Sequence, residues 1–388
     1  MRPETPAMTV IPYGRQSIDA GDEAAVLAVL RSPLLTQGPA TAAFERDLAD
    51  WVGADYCVAV ANGTAALHIC MAGLEMGPGE GVTTPNTFVA TANAMAYVGL
   101  TPVFADIDPA TLNLSPATTR AALTPQTRLI APVHFAGLPA DMPAFEAMAA
   151  DRDIRIIEDA SHAIGSEYLG GGRVGDCRHS DATIFSFHPV KTITSGEGGA
   201  ITTNDEALYQ RLLMLRSHGI TRDPARLSDN PGPWWYEQQA LGFNYRMTEL
   251  QAALGASQLR KLDRFMARRQ AIVARYRQAF AGLNWLVRPP ETPGQTVCQH
   301  LFVVQIDFDA IGRTRPEVMA ALLDEGVGSQ VHYIPVHLQP WYRQSYGTAA
   351  GQYPVAEHYY DRALSLPLFP AMTDAEVEQV ITAVRALV

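Results

Sequence analysis

Seven short apolar runs, at residues 57–61, 81–84, 102–106, 129–133, 154–158, 182–187 and 199–202, alternate with stretches of helical periodicity. This alternation constrains the fold more than any other feature of the chain. Most of the runs are almost continuously apolar, as strands covered on both faces must be. The intervening stretches 63–73, 88–99 and 141–152 repeat their apolar positions at helical spacing. Such alternation predicts an α/β fold in which helices cover a mostly parallel seven-stranded sheet. After residue 248 the pattern changes. Residues 248–283 read as one long, Arg-rich amphipathic stretch that bridges two units. Beyond it, a strand at 301–306 and helices at 316–325 and 374–387 predict a smaller α+β unit. The 388 residues suit two domains at about 150 residues each. The division is placed at 1–260 and 261–388.

Composition removes several functional classes. With 47% apolar and 18% charged residues, the chain is not of the kind that stays disordered. A net charge of −11 disfavours a nucleic-acid partner, whose phosphates are neutralised by Lys and Arg. Apolar stretches are too short or too interrupted to span a bilayer, so no membrane partner is expected. Residues 1–10 carry no apolar leader, and Met8 is an alternative start. Cys57, Cys70, Cys177 and Cys298 are scattered, with no C-x-x-C pair that would suggest zinc or redox chemistry. Their scatter suits a reducing compartment, and a cytoplasmic location is expected.

Three segments can carry chemistry. Asn62-Gly63-Thr64-Ala65-Ala66-Leu67 follows a strand and opens a helix, where free N–H groups and the helix dipole can bind a phosphate. Ordinary strand-to-helix turns look the same. Ile156-Ile157-Glu158-Asp159-Ala160-Ser161-His162 ends an apolar strand in two carboxylates, at the sheet edge where open α/β folds bind ligands. Asp159 can pair with a cationic ring nitrogen there, or cap the next helix. Phe185-Ser186-Phe187-His188-Pro189-Val190-Lys191 leads from a strand into the Gly-rich turn 196–199. Lys191 is one of only two lysines, and an uncharged lysine amine forms Schiff bases with carbonyl cofactors. A phosphate cradle, a ring-nitrogen carboxylate and a Schiff-base lysine are together the parts that hold pyridoxal 5′-phosphate (PLP).

These motifs, in this order, resemble the DegT/StrS family of PLP-dependent sugar-nucleotide aminotransferases. The likeness runs from residue 11 to about 373, nearly the whole chain. It includes Pro12-Tyr13-Gly14-Arg15-Gln16, Leu35-Thr36-Gln37-Gly38-Pro39, Phe88-Val89-Ala90-Thr91-Ala92-Asn93, Phe243-Asn244-Tyr245-Arg246-Met247 and Val331-His332-Tyr333-Ile334-Pro335-Val336-His337. Within the family, the opening segment and Pro132-Val133-His134-Phe135-Ala136-Gly137 resemble the branch of pseudaminic acid biosynthesis. That branch moves an amino group from L-glutamate to C4 of a UDP-linked 4-keto-6-deoxy-N-acetyl sugar.

The resemblance implies a fold-type I PLP enzyme, a homodimer with shared active sites, and a role for each matching residue. Lys191 would hold the cofactor and move the proton. Asp159 would keep the ring nitrogen protonated. His162 would lie near the ring hydroxyl, or be a helix-start histidine. Phe88 would stack on the ring, or be a core residue. Gly63, Thr64 and Ser186 would bind the phosphate, with Asn244 reaching it from the neighbouring subunit. Tyr13, Thr36, Asn62, His332, Tyr333, Ile334 and Pro335 would contact substrate. Arg246 would face its diphosphate or be structural. His332 and His337 have no carboxylate or Cys partner at ligand spacing, so no metal is expected. Alternatives are an aminotransferase for another 3- or 4-keto nucleotide sugar, or a non-catalytic nucleotide-sugar sensor. The adjacent Trp234 and Trp235 read as a packed loop or a binding platform.

Overall fold

The computed structural model describes residues 10–150 and 152–388. The expectations for Met8 and for the first nine residues lie outside them. All seven apolar runs are strands, each within two residues of its expected place: β1 (Tyr56–Val60), β2 (Gly79–Thr83), β3 (Leu100–Phe104), β4 (Thr127–Ala131), β5 (Arg155–Asp159), β6 (Ala182–Ser186) and β7 (Gly199–Thr203). They form one sheet in the order β1-β7-β6-β5-β4-β2-β3. Only β7 runs against its neighbours.

The helices of this unit are α1 (Ala20–Leu30), α2 (Pro39–Val52), α3 (Gly63–Gly73), α4 (Ala90–Tyr97), α5 (Pro116–Ala122), α6 (Met142–Ala149), α7 (Glu206–Arg216) and α8 (Glu249–Leu259). Successive strand residues feed opposite cores, which explains the continuous apolar runs. Ile156 and Phe185 pack with Phe44, Leu48 and Phe145 on one face. Ile157 and Ile184 pack with Leu67, Ile69 and Leu208 on the other.

The long stretch 248–283 is two helices, a correction to the single element expected. After α8 the chain breaks at Arg260–Lys261 and resumes as α9 (Leu262–Ala279). No Gly or Pro marks the break. It places Lys261 Nζ 2.8 Å from the buried Asp22 carboxylate, with Asp19 as a second partner. Tertiary pairing interrupts an otherwise helical pattern.

Two residues at 220–221 and two at 237–238 form a hairpin, β8 and β9. Its loop splits the tryptophan pair: Trp234 is 68% exposed, while Trp235 is half-buried and donates to Glu237 at 3.2 Å. The remaining sheet joins β10 (Leu286–Val287), β11 (Phe302–Ile306) and β12 (Ala363–Leu366), all antiparallel. It packs on α9 and on the helix at Asp374–Arg385 through Tyr276, Phe302, Val304, Leu366 and Val380. The sequence reading missed α11 (Pro340–Tyr346), α12 (Pro354–Arg362) and β12, and foresaw α10 (Arg315–Asp324) and α13 (Asp374–Arg385). Among the described residues, no helix is long and apolar enough to cross a membrane. All four cysteines are free and buried.

Candidate active site

The carboxyl ends of β1, β5 and β6 converge with the segment 332–335. Helix α3 starts at Gly63, capped by Asn62, whose Oδ1 accepts from Ala65 N at 2.8 Å. The N–H groups of Gly63 and Thr64 have no partner among the described residues. Thr64 is exposed beside them. A Cβ on Gly63 would stand 2.9 Å from Ser186 Cβ, so glycine permits the close approach of α3 to the end of β6. Positive helix-dipole charge and unpartnered donors make this point attractive to an anion.

Asp159 ends β5 and is nearly buried. Thr91 Oγ1 donates to its Oδ2 at 2.7 Å, and Ser161 N donates to Oδ1 at 3.1 Å. No helix follows; residues 161–165 are turns, which removes the helix-cap alternative for Asp159 and the helix-start alternative for His162. Lys191 lies within electrostatic reach of Asp159. Burial lowers its amine to about 8, against the opposing attraction of that carboxylate. Such a lysine is uncharged for a substantial fraction of molecules near neutral pH. His188 is exposed, and its carbonyl accepts from Lys191 N at 2.9 Å.

His162 is buried, and its ring geometry fixes its tautomer. Ala136 N can only donate, so Nδ1 at 3.3 Å must accept and the proton sits on Nε2. Nε2 then donates to the Tyr333 hydroxyl at 3.0 Å. Burial first, then the charge of Lys191 and the neighbouring His332, holds His162 well below its ordinary value. His332 is lowered to about 4 by burial and by Lys191. Its Nδ1 lies 2.7 Å from Ser365 Oγ. Tyr13 packs on His332 with ring centroids 5.3 Å apart. Tyr333 is raised by burial first and by Asp159 next.

The structure thus brings Asp159, Lys191, His162, His332, Tyr333 and Tyr13 together. Phe88 is 59% exposed and 6.3 Å from the Tyr333 ring, which removes its core alternative. Ile334 is exposed at the same edge, whereas Pro335 is buried. Arg246 bridges to Val60 beside the α3 start, and exposed Asn244 lies two residues earlier on the same segment. Thr36 lies further along, pairing with Thr248. Buried His337 faces Glu357 at 3.0 Å, apart from His332. The sequence reading gave no role to Thr91, His300 or the buried Arg269. Thr91 sits three residues after Phe88 in a motif already noted, but nothing in its residue type marks it as the Asp159 donor.

A model of the DegT/DnrJ/EryC1/StrS aminotransferase family matches residues 16–385. The chain belongs to this family. It is 41% identical over 382 residues to the spore coat polysaccharide biosynthesis protein SpsC of Bacillus subtilis (strain 168), with 97% of each chain covered. It is similar to the solved structure of Helicobacter pylori PseC, an aminotransferase involved in pseudoaminic acid biosynthesis. That likeness has a TM-score of 0.90 and 29% identity, covering 98% of this chain and 99% of that one. It also resembles Spr1654 of Streptococcus pneumoniae in its PLP form, with a TM-score of 0.87 and 28% identity, over 98% of this chain and all of that one. The same protein has been solved in a PMP form. As a family member, the chain is a sugar aminotransferase on the α/β fold these structures share.

Proposed function

We propose that this family member uses PLP to move an amino group from L-glutamate to C4 of a UDP-linked 4-keto-6-deoxy-N-acetyl sugar, as in pseudaminic acid biosynthesis. The observation that carries the PLP part is Lys191, lowered to about 8 and within electrostatic reach of Asp159, on a sheet whose α3 start offers two N–H groups without a partner among the described residues. The residues present fit the group. Gly63 leaves the space a Cβ would fill, and Asp159 keeps acceptor capacity beyond its two donors.

When bound, PLP supplies an electron-withdrawing ring that stabilises charge at the substrate carbon. The chain does the rest. Gly63 and Thr64 N–H, with Ser186, would hold the phosphate at the positive end of α3. Asp159 would keep a proton on the ring nitrogen, and Thr91 and Ser161 hold Asp159 in place. Lys191 Nζ takes up and returns the proton. Its lowered value lets it do both near neutral pH. His162 holds Tyr333 at the cleft wall, and Phe88 offers an aromatic face. Tyr13, Thr36, Asn62, Arg246, His332, Tyr333, Ile334 and Pro335 are assigned to substrate. Asn62 offers its Nδ2 for that purpose, since Oδ1 caps α3. Arg246 suits a diphosphate because its guanidinium matches phosphate oxygens.

We further propose a cytoplasmic homodimer in which exposed Asn244 reaches the partner's phosphate site, with domains at 1–260 and 261–388. One second reading has support. The higher identity to SpsC than to PseC favours another keto nucleotide sugar destined for a surface polysaccharide. Lys191 beside Asp159 counts against a non-catalytic sensor. The test is to incubate the protein with PLP, L-glutamate and a panel of 3- and 4-keto nucleotide sugars, and to weigh the products. A product mass from the 4-keto-6-deoxy-N-acetyl sugar alone supports the C4 step. Turnover of a different sugar moves the assignment there, and turnover of none removes it.

A further inference from the structure

His300 takes no part in the roles above, yet it packs directly against the cleft. Its ring centroid lies 4.5 Å from that of His162, with the planes 38° apart. The His162 ring and the His300 backbone are both tied to one residue, Ala136. Ala136 N donates to His162 Nδ1 at 3.3 Å, and Ala136 O accepts from His300 N at 2.9 Å. Ala136 can face both ways because it takes a left-handed conformation, φ 56°. The neighbouring Gly137 is required as well: a Cβ there would stand 2.2 Å from Cys298 O and 3.2 Å from His162 O.

The segment carrying His300 is clamped from the other side. Buried Arg269, on α9, donates from Nη1 to Leu368 O at 3.0 Å, His300 O at 3.2 Å and Gln299 O at 3.4 Å. Ser166 Oγ accepts from Cys298 N at 2.9 Å and donates to Gly137 O at 2.7 Å. The His300 ring is therefore held at both ends of its backbone. Its Nδ1 is buried without a partner among the described residues, so the ring serves through its flat surface and not through that nitrogen.

We infer that His300 is a positioning residue: its ring, packed at a tilt against that of His162, fixes the orientation through which His162 holds the Tyr333 hydroxyl at the cleft wall. The groups facing His162 are Lys191, His332, His300 and Tyr333. Removing the His300 ring opens a void that admits water beside His162, relieves its burial and frees it to turn. The role at the cofactor rests on the PLP reading above; the orientation of His162 does not.

The test uses full-length protein labelled with nitrogen-15 in histidine, with and without PLP. The His162 signals are identified by their loss in His162→Gln. In the unaltered protein they should keep the Nε2-protonated pattern from about pH 5.5 to 8. In His300→Ala they should titrate inside that window, moved up by about one unit or more. PLP binding should weaken about tenfold. His300→Phe keeps a flat ring and loses two ring nitrogens that have no hydrogen-bond partner among the described residues, so it should restore both. If His300→Ala does not fold, His300→Gln takes its place, keeping polarity without the ring. An unchanged His162 pattern in the Ala or Gln variant overturns the inference, as does failure of Phe to restore it. No PLP binding by the unaltered protein sinks the functional reading instead and leaves the nitrogen-15 result to stand alone.

Discussion

Glu158 and Asp159 are adjacent on β5, and the pleat sends them to opposite faces of the sheet. Glu158 is wholly buried and saturated. His134 Nε2 and Tyr168 OH donate to Oε2 at 2.7 Å each, and Ser180 and Thr183 donate to Oε1 at 2.5 and 3.0 Å. Ala140 N donates to His134 Nδ1 at 3.0 Å, so the His134 proton is on Nε2 and points at Glu158. Burial alone would raise Glu158, but the hydrogen bonds from His134, Ser180 and Tyr168 hold it lowered. Asp159 receives only two donors and faces a lysine amine. One carboxylate has all its acceptor capacity spent inside the fold, and the other keeps some for a ligand. The contrast separates a structural charge from a chemical one at neighbouring positions.

The contrast breaks most visibly through the lysine. Lys191→Ala is expected to cut amino transfer by about a thousandfold or more while leaving the circular dichroism spectrum and thermal midpoint intact. Retained turnover would remove Lys191 from the chemistry. Asp159→Asn keeps shape and both donors' positions. It should cost about a hundredfold in turnover and less than about 1 kcal/mol in stability, by urea titration. Glu158→Gln should do the reverse. It places an amide donor among groups that already donate, costing about 3 kcal/mol of stability. Turnover of the folded fraction should stay near normal. Equal effects of the two substitutions on both measurements would erase the distinction.

A gentler test follows from the sign of the Lys191 shift. The amine holds its proton below about 8 and loses it above. Its reactivity toward a carbonyl probe should therefore rise with pH through that midpoint, not near the ordinary lysine value of about 10.4. Asp159 raises Lys191 by favouring the charged form, so Asp159→Asn should move the midpoint lower and Glu158→Gln should leave it in place. Smallest of all, Asn62→Ala removes the cap of α3 and should cost about 1 kcal/mol by urea titration.

The fold was largely legible because β1 to β7 are buried on both faces and so read as continuous apolar runs. The break between α8 and α9 was not, because its cause is an ion pair of Lys261 with Asp22, a residue 239 positions earlier in the chain. Strand β12 hid because it follows α12 directly, with no turn residues between. At the site, Lys191, Asp159 and the α3 turn announced themselves by their places at strand ends. The Glu158-Asp159 doublet could not be sorted without the pairing of His134 and Tyr168 to one member. His300 and Arg269 were missed because their partners are backbone carbonyls and a ring face, which leave no spacing pattern in a sequence.

The most direct test of the central claim is a visible absorption spectrum of the protein supplied with PLP, recorded before and after L-glutamate and then after the UDP-linked 4-keto sugar. The assignment of Lys191 and Asp159 predicts a yellow band that bleaches with glutamate and returns with the sugar. A protein that shows no band with PLP, or a band that glutamate leaves unchanged, would contradict it.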